Sequence, residues 1–204
     1  MYNNTVMNSA GRKILGISGS PRHSSNSDAL LREILGAAAK AGAQPRVVCL
    51  RDLHFSSCNG CEQCRAAKRC TGLDDDMQQV YRAIDTADTL VLVTPIHNYN
   101  MTALMKAFID RLYCYYEFGP QRPGEWRSRL AGQGRRVVLV AIGEQTDEKD
   151  SGMDLTLETL RRSMTALGYE TAAELPVLGV YYRGQVLDRS KILKQAAELG
   201  RSLA

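Results

Sequence analysis

The stretch Lys13-Ile14-Leu15-Gly16-Ile17-Ser18-Gly19-Ser20-Pro21-Arg22-His23-Ser24-Ser25-Asn26-Ser27 decides the fold of this chain. Its first six residues are a short, mostly apolar run, a polar Gly/Ser/Pro/Arg connection follows, and a helical pattern runs from residue 26 to residue 41. Strand, polar loop and helix in direct succession are the unit from which helix-covered parallel sheets are built. The alternation continues outward from there. Strands are expected at 13–18, 46–50, 89–94, 135–142 and 171–180, with helices at 26–41, 75–86, 101–116, 153–167 and 188–203. The helix at 153–167 has the plainest period, because Met153, Leu157, Leu160, Met164 and Leu167 fall on one apolar stripe. Five such units with right-handed crossovers form a doubly wound α/β domain that binds ligands at the carboxyl ends of its strands. The whole chain, 1–204, reads as one domain in which 1–11 is flexible and 52–74 is a cysteine-rich loop.

Function then belongs to the loops after the strands. Residues 51–74, 117–134 and 143–152 are long connections by the usual standard of about two to six residues. The first loop runs straight into a helix, whose N-terminal N–H groups and dipole favour a phosphate. Ser18, Ser20, Ser25 and Ser27 bring hydroxyls, Arg22 a charged fork, and Asn26 either a helix cap or an amide donor. The loop lacks the Lys and Gly spacing of nucleoside-triphosphate and dinucleotide motifs, so a monophosphate fits better, beside the plainer reading of a polar connection with a good N-cap. Residues 122–136 hold five Arg and one Glu, which suits a solvated face or a site for a phosphate-bearing nicotinamide or an acidic partner.

The third strand ends in Thr94-Pro95-Ile96-His97-Asn98-Tyr99-Asn100-Met101-Thr102, followed by Lys106-Ala107-Phe108-Ile109-Asp110-Arg111. Together with Gly19-Ser20-Pro21-Arg22, these residues resemble the NADPH-dependent FMN reductase family of flavodoxin-like proteins. The resemblance implies a three-layer fold with a five-stranded parallel sheet of order 2-1-3-4-5 and FMN at the switch point. It implies that Ser20-Pro21-Arg22 and its neighbours grip the FMN phosphate while Pro95, Ile96, Asn98 and Tyr99 meet the isoalloxazine. Gly143, at the end of the fourth strand, would also approach the flavin. His97 either contacts the ring or caps the following helix. Lys106 and Asp110 match the family's K-x-F-x-D-R pattern, and their spacing of four suits a salt bridge.

Four of the six cysteines crowd into thirteen residues as Cys58-x2-Cys61-x2-Cys64-x5-Cys70. Overlapping C-x-x-C steps bring thiolates onto one concave surface, with the fourth able to close a cage. The spacing resembles that of iron-sulfur flavoproteins, a branch of the same family, which implies a [4Fe-4S] cluster passing electrons to FMN. Zinc and bare thiols are the other two readings. Cys49 and Cys114 read as core residues. Asp74-Asp75-Asp76 could mark a cation, although their place before a helix suits capping better.

Composition excludes other classes. The 204 residues are 44% hydrophobic and 24% charged with a net charge of +4, an ordinary globular balance far from a nucleic-acid-binding charge density. The apolar runs are too short to span a bilayer, and the polar start of the chain has no signal-peptide core, so a cytoplasmic protein with no membrane association is expected. No Ser-His-Asp arrangement or hydrolytic metal spacing appears, and the chemistry therefore falls to a cofactor. The expected function is an FMN-dependent oxidoreductase taking electrons from NAD(P)H and passing them to a quinone, flavin or similar small-molecule acceptor. The alternative is an electron carrier relaying between a [4Fe-4S] cluster, FMN and redox protein partners. A redox or iron sensor is the weakest reading, since no DNA-binding helix pair is evident. The long loops and the resemblance also imply a homodimer or homotetramer that completes the flavin site.

Overall fold

A computed structural model of the chain describes residues 11–121, 123–147 and 151–204. Strands β1 (Lys13–Ser18), β2 (Gln44–Cys49), β3 (Thr89–His97), β7 (Arg136–Ile142) and β8 (Glu170–Val177) build the main sheet in the order β2-β1-β3-β7-β8. All neighbours on that path are parallel. This is the 2-1-3-4-5 arrangement of the flavodoxin-like fold. The remaining elements are short strands β4 (Asn100–Met101), β5 (Tyr116–Phe118) and β6 (Trp126–Ser128), and helices α1 (Asn26–Lys40), α2 (Cys64–Ala67), α3 (Met77–Thr86), α4 (Ala103–Arg111), α5 (Met153–Ala166) and α6 (Ser190–Ser202).

Alternation along each strand sorts side chains to the two faces. Leu90 and Leu92 of β3 and Val137, Leu139 and Ala141 of β7 share one core with residues of α3, α4 and α5. Val91, Val93, Val138, Val140 and Ile142 share the other with α1 and α6. The stripe expected on α5 is buried throughout. Gly16 lets α1 approach closely, since a Cβ there would lie 2.6 Å from Leu35 Cδ1. Among the described residues, no helix is long and apolar enough to cross a membrane.

The boundaries shift where local chemistry intervenes. Strand β3 runs on to His97 and turns back through β4, pairing Ile96 with Met101 and His97 with Asn100. The following helix therefore starts at Ala103 rather than 101, with Thr102 as its N-cap accepting from the Met105 N–H at 3.1 Å. It ends at Arg111 in a 3₁₀ turn, Leu112–Tyr115. Strand β8 stops at Val177, because the chain then leaves the sheet through Gly179 at φ +68°.

Two arginines of the basic stretch are bonded to carbonyls of the protein itself. Arg135 donates to the carbonyls of Ile84, Asp85 and Ala87 at the end of α3, and Arg129 donates to Lys68 and Cys114 carbonyls. Buried carbonyls at helix ends need such donors, and Arg135 satisfies three at once. Arg127 pairs with Glu117 at the surface. Arg122, residues 148–150 and the 1–11 segment expected to be flexible, apart from Gly11, lie outside the described residues.

Candidate functional site

A cavity of about 400 Å³ opens at the carboxyl ends of β1, β3 and β7, within the size range of small-molecule sites. The loop after β1 forms one wall with Ser20, Pro21, Arg22, Ser25, Asn26 and Ser27. The end of β3 gives Pro95, Ile96 and His97 and the turn after it Asn98, while Ile142, Glu144, Val180, Tyr181 and Arg183 complete the lining. The lining thus combines hydroxyls and two arginines with the apolar side chains of Pro95, Ile96, Ile142 and Val180.

The polar wall is built on the capped start of α1. Ser25 is the N-cap, with its hydroxyl accepting from the Asp28 N–H at 3.1 Å, and the Asp28 carboxylate accepting in return from the Ser25 N–H at 3.2 Å. This reciprocal box leaves the Ser25 hydroxyl hydrogen for another acceptor. Asp28 also accepts from Ser18 Oγ at 2.8 Å and from Arg51 Nη1 at 3.0 Å. Burial pushes the Asp28 carboxyl up, but the hydrogen bonds from Arg51, Ser18 and Ser25 outweigh it and hold the group below its usual value. The carboxylate at the helix start is thus neutralised by Arg51 from within. Arg22 stays exposed, its guanidinium 5.0 Å from the Tyr181 ring centroid.

Three of the expected residues serve the scaffold instead. Ser18 is fully buried against Asp28 and does not line the cavity. Asn26 lines it, but its amide is committed to the loop after β8, donating to the Tyr182 carbonyl at 2.9 Å and accepting from the Val186 N–H at 3.1 Å. Gly143 lies behind the wall, donating to Val177 O and accepting from Val180 N. Tyr99 stands outside the cavity and is 63% exposed. The helix cap offered for His97 belongs to Thr102, and His97 is exposed on the cavity wall.

The β3–β4 turn is tight. Asn98 and Tyr99 have φ +46° and +65°, the two left-handed positions of a two-residue hairpin loop. Asparagine tolerates that conformation, whereas tyrosine is strained in it. Two residues to which the sequence assigns no role hold the turn. Thr102 Oγ1 donates to the Gly19 carbonyl at 2.7 Å, joining the first loop to the third. Gly152 packs on the Tyr99 backbone so closely that a Cβ would lie 2.4 Å from Tyr99 Cα. Tyr181, Arg183 and Glu144 were also missed, because they follow strands without any motif that marks them.

A second site lies in the cysteine loop. Cys58, Cys61, Cys64 and Cys70 all line one small void of about 20 Å³, together with Arg111 and Cys114. All six cysteines are free thiols. The donor chemistry and shared location suit a thiolate-held group, but among the described residues no three His, Cys, Asp or Glu side chains stand together as a metal site. The void holds little more than one water, so the loop would open to admit a cluster. Burial pushes the Cys64 thiol up, and that of Cys114 up to about 12. Cys114 is core, as expected, while Cys49 is half-buried at the end of β2.

The acidic run ties this loop to the fold. Asp75 accepts from the Met77 and Ser56 N–H groups and Asp76 from the His54 N–H, so these two residues brace the entry to α3. Lys106 and Asp110 form the expected surface pair at 2.5 Å.

The model of a family described as NADPH-dependent FMN reductase matches residues 12–171. An iron-sulfur flavoprotein of Methanocaldococcus jannaschii is 33% identical over 149 residues, covering 72% of this chain and 69% of that protein. An iron-sulfur flavoprotein of Archaeoglobus fulgidus is 29% identical over 192 residues, covering 94% and 79%. Among solved structures, an NAD(P)H:quinone oxidoreductase from Methanothermobacter marburgensis superposes with a TM-score of 0.73 at 22% identity, over 96% of this chain and 100% of that one. Similarity at that identity speaks for the fold.

Proposed function

This chain belongs to the NADPH-dependent FMN reductase family, and within it to the iron-sulfur flavoproteins, and from there we propose what its site does as an FMN-dependent oxidoreductase. FMN occupies the cavity between the loops after β1, β3 and β8, and NAD(P)H delivers electrons to it for transfer to a quinone, flavin or similar acceptor. The observation that carries this reading is the cavity itself, which joins a capped helix start, three serine hydroxyls and Arg22 to the apolar side chains of Pro95, Ile96 and Val180.

Each wall has a task. Ser20, Ser25 and Ser27, the first N–H groups of α1 and the Arg22 fork hold the phosphate. Arg51 keeps Asp28 from repelling it. Pro95 to Asn98 present backbone and side chains to the ring edge, while Ile142 and Val180 exclude water from its apolar side. The bound flavin supplies two-electron acceptance from a nicotinamide and stepwise delivery onward. Tyr99 and Tyr182, at 63% and 73% exposure beside the cavity, support closure of the site by a second copy of the chain.

The test is anaerobic mixing of flavin-loaded protein with millimolar NADH or NADPH. Bleaching of the flavin's visible absorbance by either is expected, and no bleaching by both would overturn the reductase reading. A second reading is electron relay between a [4Fe-4S] cluster, FMN and a protein partner. It is favoured by four free cysteines around one void in a chain related to iron-sulfur flavoproteins. Anaerobic reconstitution followed by iron counting decides it, and protein without iron removes it.

A further inference from the structure

Arg111, the last residue of α4, is fully buried yet charged. All five of its N–H donors have partners. Nη1 donates to Asp75 Oδ2 at 2.6 Å and to the Ser56 carbonyl at 2.8 Å. Nη2 donates to Asp75 Oδ1 at 2.9 Å and to Cys70 Sγ at 3.6 Å, and Nε donates to the Tyr81 hydroxyl at 3.1 Å. Tyr81 returns its own hydrogen to the Arg111 carbonyl at 3.1 Å. Bidentate pairing with Asp75 would neutralise the cation by itself. The remaining donors reach the start of the cysteine loop at Ser56 and a sulfur near its end at Cys70.

We propose that Arg111 is the positioning residue of the cysteine loop, tying the two stems of residues 56–75 together and aiming a charged N–H donor at the Cys70 sulfur. A hydrogen bond to sulfur withdraws electron density, which raises the reduction potential of an iron-sulfur group that the sulfur holds. This second consequence rests on the relay reading; the tie does not. The fixed stems leave the segment between them free to widen around a ligand, since Cys58 and Cys61 are exposed and no bond to Arg111 restrains them.

The test compares wild type, Arg111→Lys, and a paired Arg111→Met with Asp75→Asn variant that leaves no buried charge unpartnered. Hydrogen exchange of flavin-loaded, iron-free protein reads the tie, with peptides of the main sheet as the folding control. Exchange in residues 56–75 should be at least about tenfold faster in both variants while the sheet stays protected. Equal exchange in all three proteins would overturn the tie. Dye-coupled potentials of anaerobically reconstituted protein read the sulfur contact. The potential should fall in the paired variant and fall less in Arg111→Lys, which keeps the charge but not the fork; an unchanged potential overturns that role. Wild type that takes up no iron overturns the relay reading and the potential claim together, and the exchange result still decides the tie.

Discussion

Asp28 accepts three side-chain or backbone donors around its buried carboxylate, and Arg51 is almost as buried beside it. Breaking such a pair from one side leaves the other charge unpartnered. Asp28→Ala should therefore lower the unfolding free energy by about 3 kcal/mol in urea titration. Its folded pKa lies below the unfolded value of about 3.9, so its stabilisation is present at higher pH and is lost as pH falls through the folded value. Asp28→Asn should show a flatter loss of stability below about pH 4 than wild type. Arg22 differs, because it is exposed and, among the described residues, paired with no carboxylate. Arg22→Ala should weaken FMN binding by about 1.5 to 3 kcal/mol in a flavin-fluorescence titration, with little change in melting temperature. These roles were unequally legible. Arg22 and the serines announce themselves by residue type next to a helix start, but Asn26 reads the same way and spends its amide on the loop after β8.

At the scale of elements, the β3–β4 hairpin is the part most sensitive to backbone crowding. Its turn is held left-handed at Asn98 and Tyr99, and Gly152 at φ +72° lies against it. Gly152→Ala adds a methyl 2.4 Å from Tyr99 Cα and strains its own φ, so it should cost about 1 to 3 kcal/mol. Because the displaced hairpin carries His97 and Asn98, FMN affinity should fall along with thermal stability; unchanged affinity would mean the turn does not touch the flavin. The hairpin was hidden in the sequence. Met101 joins the apolar pattern of the helix, and only the Thr102 cap shows that the helix has not yet begun. The stripe of α5 was readable because its members lie three or four residues apart, whereas the cap of α1 falls on Ser25 and not on Asn26, which is already the first residue of the helix.

At the scale of the whole molecule, the described residues hold two candidate sites, a cavity on the loops after β1, β3 and β8 and a cysteine loop anchored by Arg111 and Asp75. The thiols of the second site are graded by burial. In iron-free native protein, an alkylating reagent should modify the exposed Cys58 and Cys61 first and spare Cys114, whose thiol burial pushes up to about 12. Peptide mass mapping checks the order, and early labelling of Cys114 would contradict the packing around it. The sequence by itself determined the five βα units, the apolar stripe of α5 and the crowding of four cysteines in one loop, because periodicity and short spacing are local properties of the chain. Only the tertiary structure decided that Arg135 closes the end of α3 rather than an anion site, that Tyr181 and Arg183 join the cavity, and that Arg111 reaches Ser56, Cys70 and Asp75 together. These contacts join residues far apart in the chain, and no local pattern encodes which buried donor meets which acceptor once the helices dock on the sheet.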